Sequence, residues 1–243
     1  MNKIHYVPIF ILLITCFLPG CEEDRYPAGD FTNDNRDMSD DRAQRYLDQI
    51  NTISVPVFTV LGNHDYKLGP NVDSDDPFTK EQIELVESIW QGKGDIYPYY
   101  SLDYSGWKFI VLNSMRGRYL ERNFDPDQLK WLESELAQEI PSVLFFHHPI
   151  ETDHFKFWGS FKDLVDEDME PEFFSMCKKH RIQIKAIFVG HGHIWTKDTL
   201  FDSIKVYETS SFGDDEDSPF YLAGFDTSEF RIDVVDSESL LLE

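Results

Sequence analysis

A chain of 243 residues is long enough for one domain with a substantial core, and its 41% hydrophobic and 15% aromatic content excludes a disordered polyanion. The formal net charge of −23 at pH 7 sets up a field that repels nucleic acid and anionic lipid headgroups, which argues against nucleic acid as a general ligand. A phosphate-bearing substrate would need cations held at the site itself.

Residues 1–20 read as a leader: Lys3 gives a positive start, Val7 to Leu18 are nearly all apolar, and Leu18-Pro19-Gly20-Cys21 follows directly. The apolar run is too short to span a bilayer comfortably. The tetrapeptide resembles a lipobox, so the expectation is a lipoprotein signal peptide over 1–20 and a lipidated Cys21. The mature chain is then held to the membrane in the cell envelope, outside the cytoplasm; an uncleaved anchor or an ordinary secretory signal is the rival reading. With Cys16 in the leader and Cys21 lipidated, Cys177 is left without a disulfide partner and reads as a buried apolar cysteine. No repeat or long linker divides residues 21–243, which read as one domain.

Residues 22–42 are acidic and polar. The spacing of Ala43, Tyr46, Leu47 and Ile50 predicts a helix from Asp41 to about Thr52, and the β-branched run Val55 to Leu61 predicts a buried strand ending at Gly62. Pro70 to Pro77 reads as a surface loop. Thr79 with Gln82 three residues later resembles a capping box that opens a helix through Trp90. Tyr99 to Tyr104 and Trp107 to Asn113 read as strands joined by a tight Ser105-Gly106 hairpin. Asp125-Pro126 starts a helix with Leu129, Leu132 and Leu136 on one face. Ser142 to Phe146 is an apolar strand running into His147-His148-Pro149, Glu170 to His180 is helical, and Ile182 to Val189 is a strand ending at Gly190. Ile204 to Thr209 and Phe220 to Val235 form a strand-rich end.

Three times a buried strand finishes in a polar cluster: Gly62-Asn63-His64-Asp65, His147-His148-Pro149 and Gly190-His191-Gly192-His193. Ligand sites of layered α/β proteins gather at the carboxyl ends of strands. Five of the eight histidines lie in these clusters, and imidazole with carboxylate and amide oxygen suits Zn, Mn or Fe. His154 and His180 lie outside the clusters and read as ordinary surface or core residues. The aromatic residues Tyr66, Phe155, Trp158 and Trp195 are candidates for lining a substrate pocket, or for simple packing.

Together with Gly29-Asp30, the three clusters resemble four motifs of the calcineurin-like metallophosphoesterases, in family order, over roughly residues 28–225. The resemblance implies a four-layer α/β sandwich (αββα) of two mixed sheets flanked by helices. It also implies that Asp30 bridges two metals, that Asn63, His147 and His191 hold one of them, and that His193 ligates the other. His148 is left behind the ligands, His64 becomes a proton donor near the leaving group, and Asp65 orients its ring. The implied reaction is hydrolysis of a small phosphomonoester or phosphodiester, in which paired cations polarise the phosphoryl oxygens and lower the pKa of water.

One departure from the pattern is large. The family opens with an Asp-x-His motif on a first strand and helix, yet only eight residues separate Cys21 from Asp30, against the thirty or so that a strand-helix-strand unit needs. The first strand-helix unit is therefore missing, and the expectation is one metal here where the family has two. An internal deletion, a fault in gene assembly and a working single-metal variant all account for this. A rival function follows from it: a degenerate, inactive lipoprotein that keeps the scaffold and part of the metal site.

Overall fold

The computed structural model describes residues 42–54, 56–66, 78–155, 171–192, 194–209, 220–225 and 230–235. The leader, Cys21, Gly29-Asp30, Trp158 and His193 lie outside them, as does the side chain of His64.

Four strands give the fold its direction. β2 (Trp107–Val111), β3 (Ser142–Phe145), β4 (Ile184–Val189) and β6 (Ile204–Glu208) run parallel, with β1 (Tyr100–Tyr104) and β5 (Thr196–Leu200) antiparallel at the two edges, in the order β1-β2-β3-β4-β6-β5. This is the mixed α/β sheet expected of the family. β2 and β3 are buried along their whole length, which is why, Lys108 and Ser142 apart, their sequences are apolar runs rather than alternations. β7 (Phe220–Phe225) and β8 (Phe230–Val235) form a separate antiparallel pair.

One face of the large sheet is covered by α3 (Pro126–Leu136) and α4 (Pro171–Lys179): Leu129, Leu132, Leu136, Phe173 and Cys177 pack against Ile110, Leu144, Ile187 and Val206. Each such side chain, when fully buried, contributes on the order of 1.5–3 kcal/mol. Along the other face the rings of Phe109, Phe145, Phe188 and Tyr207 stack from strand to strand, at centroid distances of 6.5, 5.2 and 5.0 Å. α1 (Arg42–Ile50) and α2 (Lys80–Gly94) share a further core with Leu61, Tyr66 and Met115.

The local chemistry accounts for the element ends. Thr79 and Gln82 close a complete capping box: Gln82 N–H donates to the threonine hydroxyl at 3.2 Å and Thr79 N–H to the glutamine side chain at 2.8 Å. Ser105 and Gly106 take positive φ of 51° and 81°, as a two-residue hairpin turn requires. Asp125 caps α3, while the Gln128 amide bonds both N–H and C=O of Asn113 at 2.7 and 3.0 Å. The first turn of α3 is thereby fastened to the chain leaving β2.

Two expectations are corrected. Residues 56–62 form no strand; Val60 and Leu61 are buried, but no described strand lies alongside to complete a ladder, and side chains hold the segment instead. Tyr100 donates to the Thr59 carbonyl at 3.0 Å, and Tyr46 bonds the Thr59 hydroxyl at 3.0 Å. β5, with the polar sequence Thr-Lys-Asp-Thr-Leu, was not expected, because an edge strand paired on one side needs no apolar run.

Candidate metal centre at the carboxyl edge of the sheet

Since β2, β3, β4 and β6 are parallel, they deliver Asn113-Ser114, His147-His148, Gly190-His191 and Glu208-Thr209 to one edge. The ladder continues past the strands: Leu112 N–H donates to Phe145 C=O, and Gly190 N–H to His147 C=O, both at 2.8 Å. Thr209 N–H donates to Val189 C=O at 3.0 Å. The histidines therefore sit on backbone held by the sheet rather than on free loops.

Asn63, His147 and His191 meet. His147 Nε2 lies 2.8 Å from Asn63 Oδ1 and 3.0 Å from His191 Nδ1, with Asn63 and His147 almost wholly buried. His191 adopts φ +69°, a left-handed conformation that a non-glycine residue takes at a cost. The flanking glycines Gly190 and Gly192 let the chain turn sharply on either side of it.

An imidazole nitrogen carries at most one hydrogen, so His147 Nε2 can satisfy both close neighbours only by sharing that hydrogen, or by giving it up to a cation. Donors bound at roughly 2.0–2.1 Å to one ion stand about 3 Å apart, which is the spacing seen here. Two imidazoles and an amide oxygen form a donor set that a borderline divalent metal accepts. The residues present thus fit such a group.

His148 belongs closer to this group than the sequence suggested. One ring nitrogen each from His147, His148 and His191 lie mutually within 4.8 Å, the sole such cluster among the described residues. His148 Nδ1 is 2.7 Å from the Ser114 hydroxyl, which also accepts the His148 backbone N–H at 3.2 Å, and its buried Nε2 has no hydrogen-bond partner. Burial, followed by the neighbouring His191, His147 and Arg118, holds the ring well below the usual histidine range and hence neutral.

Asp65 is fully buried, and its Oδ2 accepts the Gly62 N–H at 2.8 Å, closing the 3-10 turn Asn63–Tyr66 on itself. That bond gives Asp65 a role in shaping the loop, beside the orientation of the His64 ring expected of it. Tyr66, a pocket candidate on sequence, is instead core: fully buried, it receives a hydrogen bond from the Asn113 amide and donates to Glu87 at 3.3 Å. Phe155 and Trp195 are partly exposed. His180 bonds Glu133 at 3.1 Å, and His154 lies on the surface beside Asp198 at 2.8 Å; neither joins the cluster.

Ser114, Asn113 and Glu208 were missed on sequence. Each follows or ends a strand that leads to a histidine cluster or pairs with one that does, and that position was the available signal.

The chain and its fold resemble known proteins. The family model for calcineurin-like phosphoesterases matches residues 26–195, and the chain belongs to that family. A Synechococcus protein described as a probable cyclic nucleotide phosphodiesterase is 25% identical over 168 residues, covering 68% of this chain and 56% of that protein. A Psychrobacter protein of the same description is 22% identical over 171 residues, covering 70% and 47%. The chain thus spans about half the length of these curated relatives. A dimetal phosphatase from Danio rerio superposes with a TM-score of 0.52 at 16% identity, over 80% of this chain and 75% of that one, a likeness of fold.

Proposed function

We propose that the chain is a metal-dependent phosphoesterase in which Asp30, Asn63, His147 and His191 hold one metal, with His193 the further donor toward a second. The convergence of Asn63 Oδ1 and His191 Nδ1 on His147 Nε2 carries this reading. A bound divalent ion there supplies Lewis-acid polarisation of the phosphoryl group and a lowered pKa for water. The chain's own part is to hold the donors on sheet-anchored backbone, to keep His148 neutral beside them, and to place His64 near the leaving group as a proton donor.

A small phosphodiester is the substrate class favoured by the relatives' description, with a monoester as the other candidate. The strongly acidic chain makes the site cation the main attraction for any anionic substrate. The lipobox-like Leu18-Pro19-Gly20-Cys21 supports, as a further part of the proposal, a mature protein held in the cell envelope through lipid on Cys21; among the described residues no helix is long and apolar enough to cross a membrane.

A second reading has its own observation. No Asp-x-His motif precedes Gly29, so one member of a metal pair keeps only Asp30 and His193, and the chain is then a scaffold with a partial site. Elemental analysis tests the metal centre common to both readings, and turnover then separates them. We expect about one equivalent of Zn, Mn or Fe per chain, set by the count of remaining donors, and loss of most of it in His147→Ala. Absence of metal from folded wild-type protein refutes the metal reading.

A further inference from the structure

Ser114 meets His148 twice, and the two contacts decide which ring nitrogen carries the hydrogen. Both residues are fully buried. Ser114 Oγ accepts the His148 backbone N–H at 3.2 Å and lies 2.7 Å from His148 Nδ1. The serine itself stands on fixed backbone: the Gln128 amide bonds both N–H and C=O of the preceding Asn113, whose own side chain accepts the Met115 N–H at 3.0 Å. The peptide between His147 and His148 is held from both sides, since its C=O accepts the Gly190 N–H at 2.8 Å and its N–H meets Ser114.

Hydrogen counting then separates two arrangements. A serine hydroxyl has one hydrogen to give and two lone pairs, and a neutral imidazole has one N–H and one bare nitrogen. If Nδ1 carries the ring hydrogen, it donates to Oγ; the hydroxyl hydrogen then has no acceptor among the described residues, and the bare Nε2 has no donor. If the hydroxyl donates to Nδ1, the ring hydrogen sits on Nε2 and is the one unpaired group left. Sparing a second buried polar group favours the latter arrangement by about fivefold to a hundredfold.

The difference bears on the centre. One ring nitrogen each of His147, His148 and His191 lie within 4.8 Å of one another, and the His148 ring centroid is 4.9 and 4.6 Å from those of His147 and His191. Position alone therefore allows three imidazole ligands. A nitrogen ligates only through a bare lone pair, and in the favoured arrangement the one bare nitrogen of His148 is Nδ1, which the serine hydroxyl occupies.

We propose that Ser114 is a positioning residue that holds His148 as its Nε2–H tautomer, so that His148 stands beside the centre as a neutral hydrogen-bond donor and the metal takes two imidazoles, those of His147 and His191. The tautomer rests on the Ser114 contacts alone, and the consequence for the ligand set rests on the metal reading above.

Nitrogen NMR of the histidine rings, on the full chain at neutral pH, reads both parts, with the His148 signals identified by their loss in His148→Gln. In metal-free protein the hydrogen should be on Nε2, and Nδ1 should show the shift of a nitrogen accepting a hydrogen bond. Ser114→Ala should move Nδ1 toward the shift of an unbonded nitrogen or spread the hydrogen over both nitrogens. A serine that only fills space would leave the ring pattern unchanged, so an unmoved pattern in folded Ser114→Ala overturns the proposal, as does hydrogen on Nδ1 in the wild type. Should Ser114→Ala not fold, the wild-type spectrum decides: Nε2–H with an accepting Nδ1 supports the proposal, and Nδ1–H sinks it. On adding Zn²⁺, His147 and His191 should shift as ligands while His148 keeps its Nε2–H. Loss of that hydrogen on zinc binding makes His148 a third ligand and overturns the second part. If no zinc is taken up, the metal reading fails while the spectra still decide the role of Ser114.

Discussion

Replacing Arg116 by alanine should unfasten the support beneath the Asn63-to-Tyr66 turn. Its guanidinium pairs with Glu87 and, through Nε, with Asp125 at 2.9 Å; the Glu87 and Asp125 side chains are only 8% and 4% exposed. Glu87 in turn receives Tyr66 and the Asn113 amide, both at 3.3 Å, so one cation compensates an acid network reaching from α2 to the turn. Removing it leaves two buried carboxylates facing each other, a loss of about 3–5 kcal/mol by the usual cost of orphaning a buried charge. Asp125 keeps its bond from Gln128 N–H at 2.8 Å, which favours the lower end. The sign with pH also follows. Burial already raises Glu87 above the usual carboxylate range despite Arg116, so its favourable contribution is present below the unfolded value of about 4.3 and is lost as pH rises through the folded one. Without Arg116 the folded value climbs further, and the deficit should widen from pH 5 to pH 8. Urea unfolding followed by tryptophan fluorescence at both pH values measures this. A deficit under about 1 kcal/mol at pH 8, the size of an exposed pair, or one that does not change with pH, would refute the reasoning.

The surface pair of His154 and Asp198 should titrate as a unit. Asp198 also accepts from Thr152 at 2.6 Å and from the His154 and Thr199 backbone, which holds its carboxyl far below its usual range despite burial, while its own hydrogen bond raises His154. The histidine's contribution is present below about 6.5 and is lost as pH rises through its folded value; the aspartate's is present above about 3.9 and lost as pH falls. An NMR titration should show His154 above the free-histidine range and return it there in Asp198→Asn; no movement would refute the pairing. At the amino terminus, Cys21→Ser should release the protein from membranes into the soluble fraction, and wild-type chain that never incorporates labelled palmitate would rule out the lipid anchor.

Much of this architecture was legible in the sequence because the burial signal there is simple. Ser142–Phe145 and Ile184–Val189 are apolar on both faces and sit at the sheet's centre, and the Thr79/Gln82 and Asp125-Pro126 signals mark helix starts that the hydrogen bonds bear out. Residues 56–61 carry the same signal without a strand, since β-branched composition reports burial rather than the presence of a partner to pair with. The histidine triplet was legible from its clustering with glycine. Its supports were not: Ser114 meets His148 across 34 residues, Asn113 meets Tyr66 across 47, and Glu208 is set beside Val189 by the strand register. Such contacts depend on which strands end side by side, and nothing local in Val-Tyr-Glu-Thr or Leu-Asn-Ser-Met marks them.

The central claim is metal-dependent phosphoester hydrolysis at the Asn63, His147 and His191 centre, and turnover of bis(p-nitrophenyl) phosphate and p-nitrophenyl phosphate tests it most directly. On the proposed assignment, a metal held by Asp30 and His193 alone would forfeit transition-state stabilisation of several kcal/mol, at about tenfold in rate for each 1.4 kcal/mol. The account therefore predicts slow turnover, lost on adding a chelator and lost in His147→Ala while near-ultraviolet circular dichroism confirms the fold. Restoring an Asp-x-His strand ahead of Gly29 should raise it. Turnover that survives both the chelator and His147→Ala, or none at all from folded protein loaded with metal, would contradict the account.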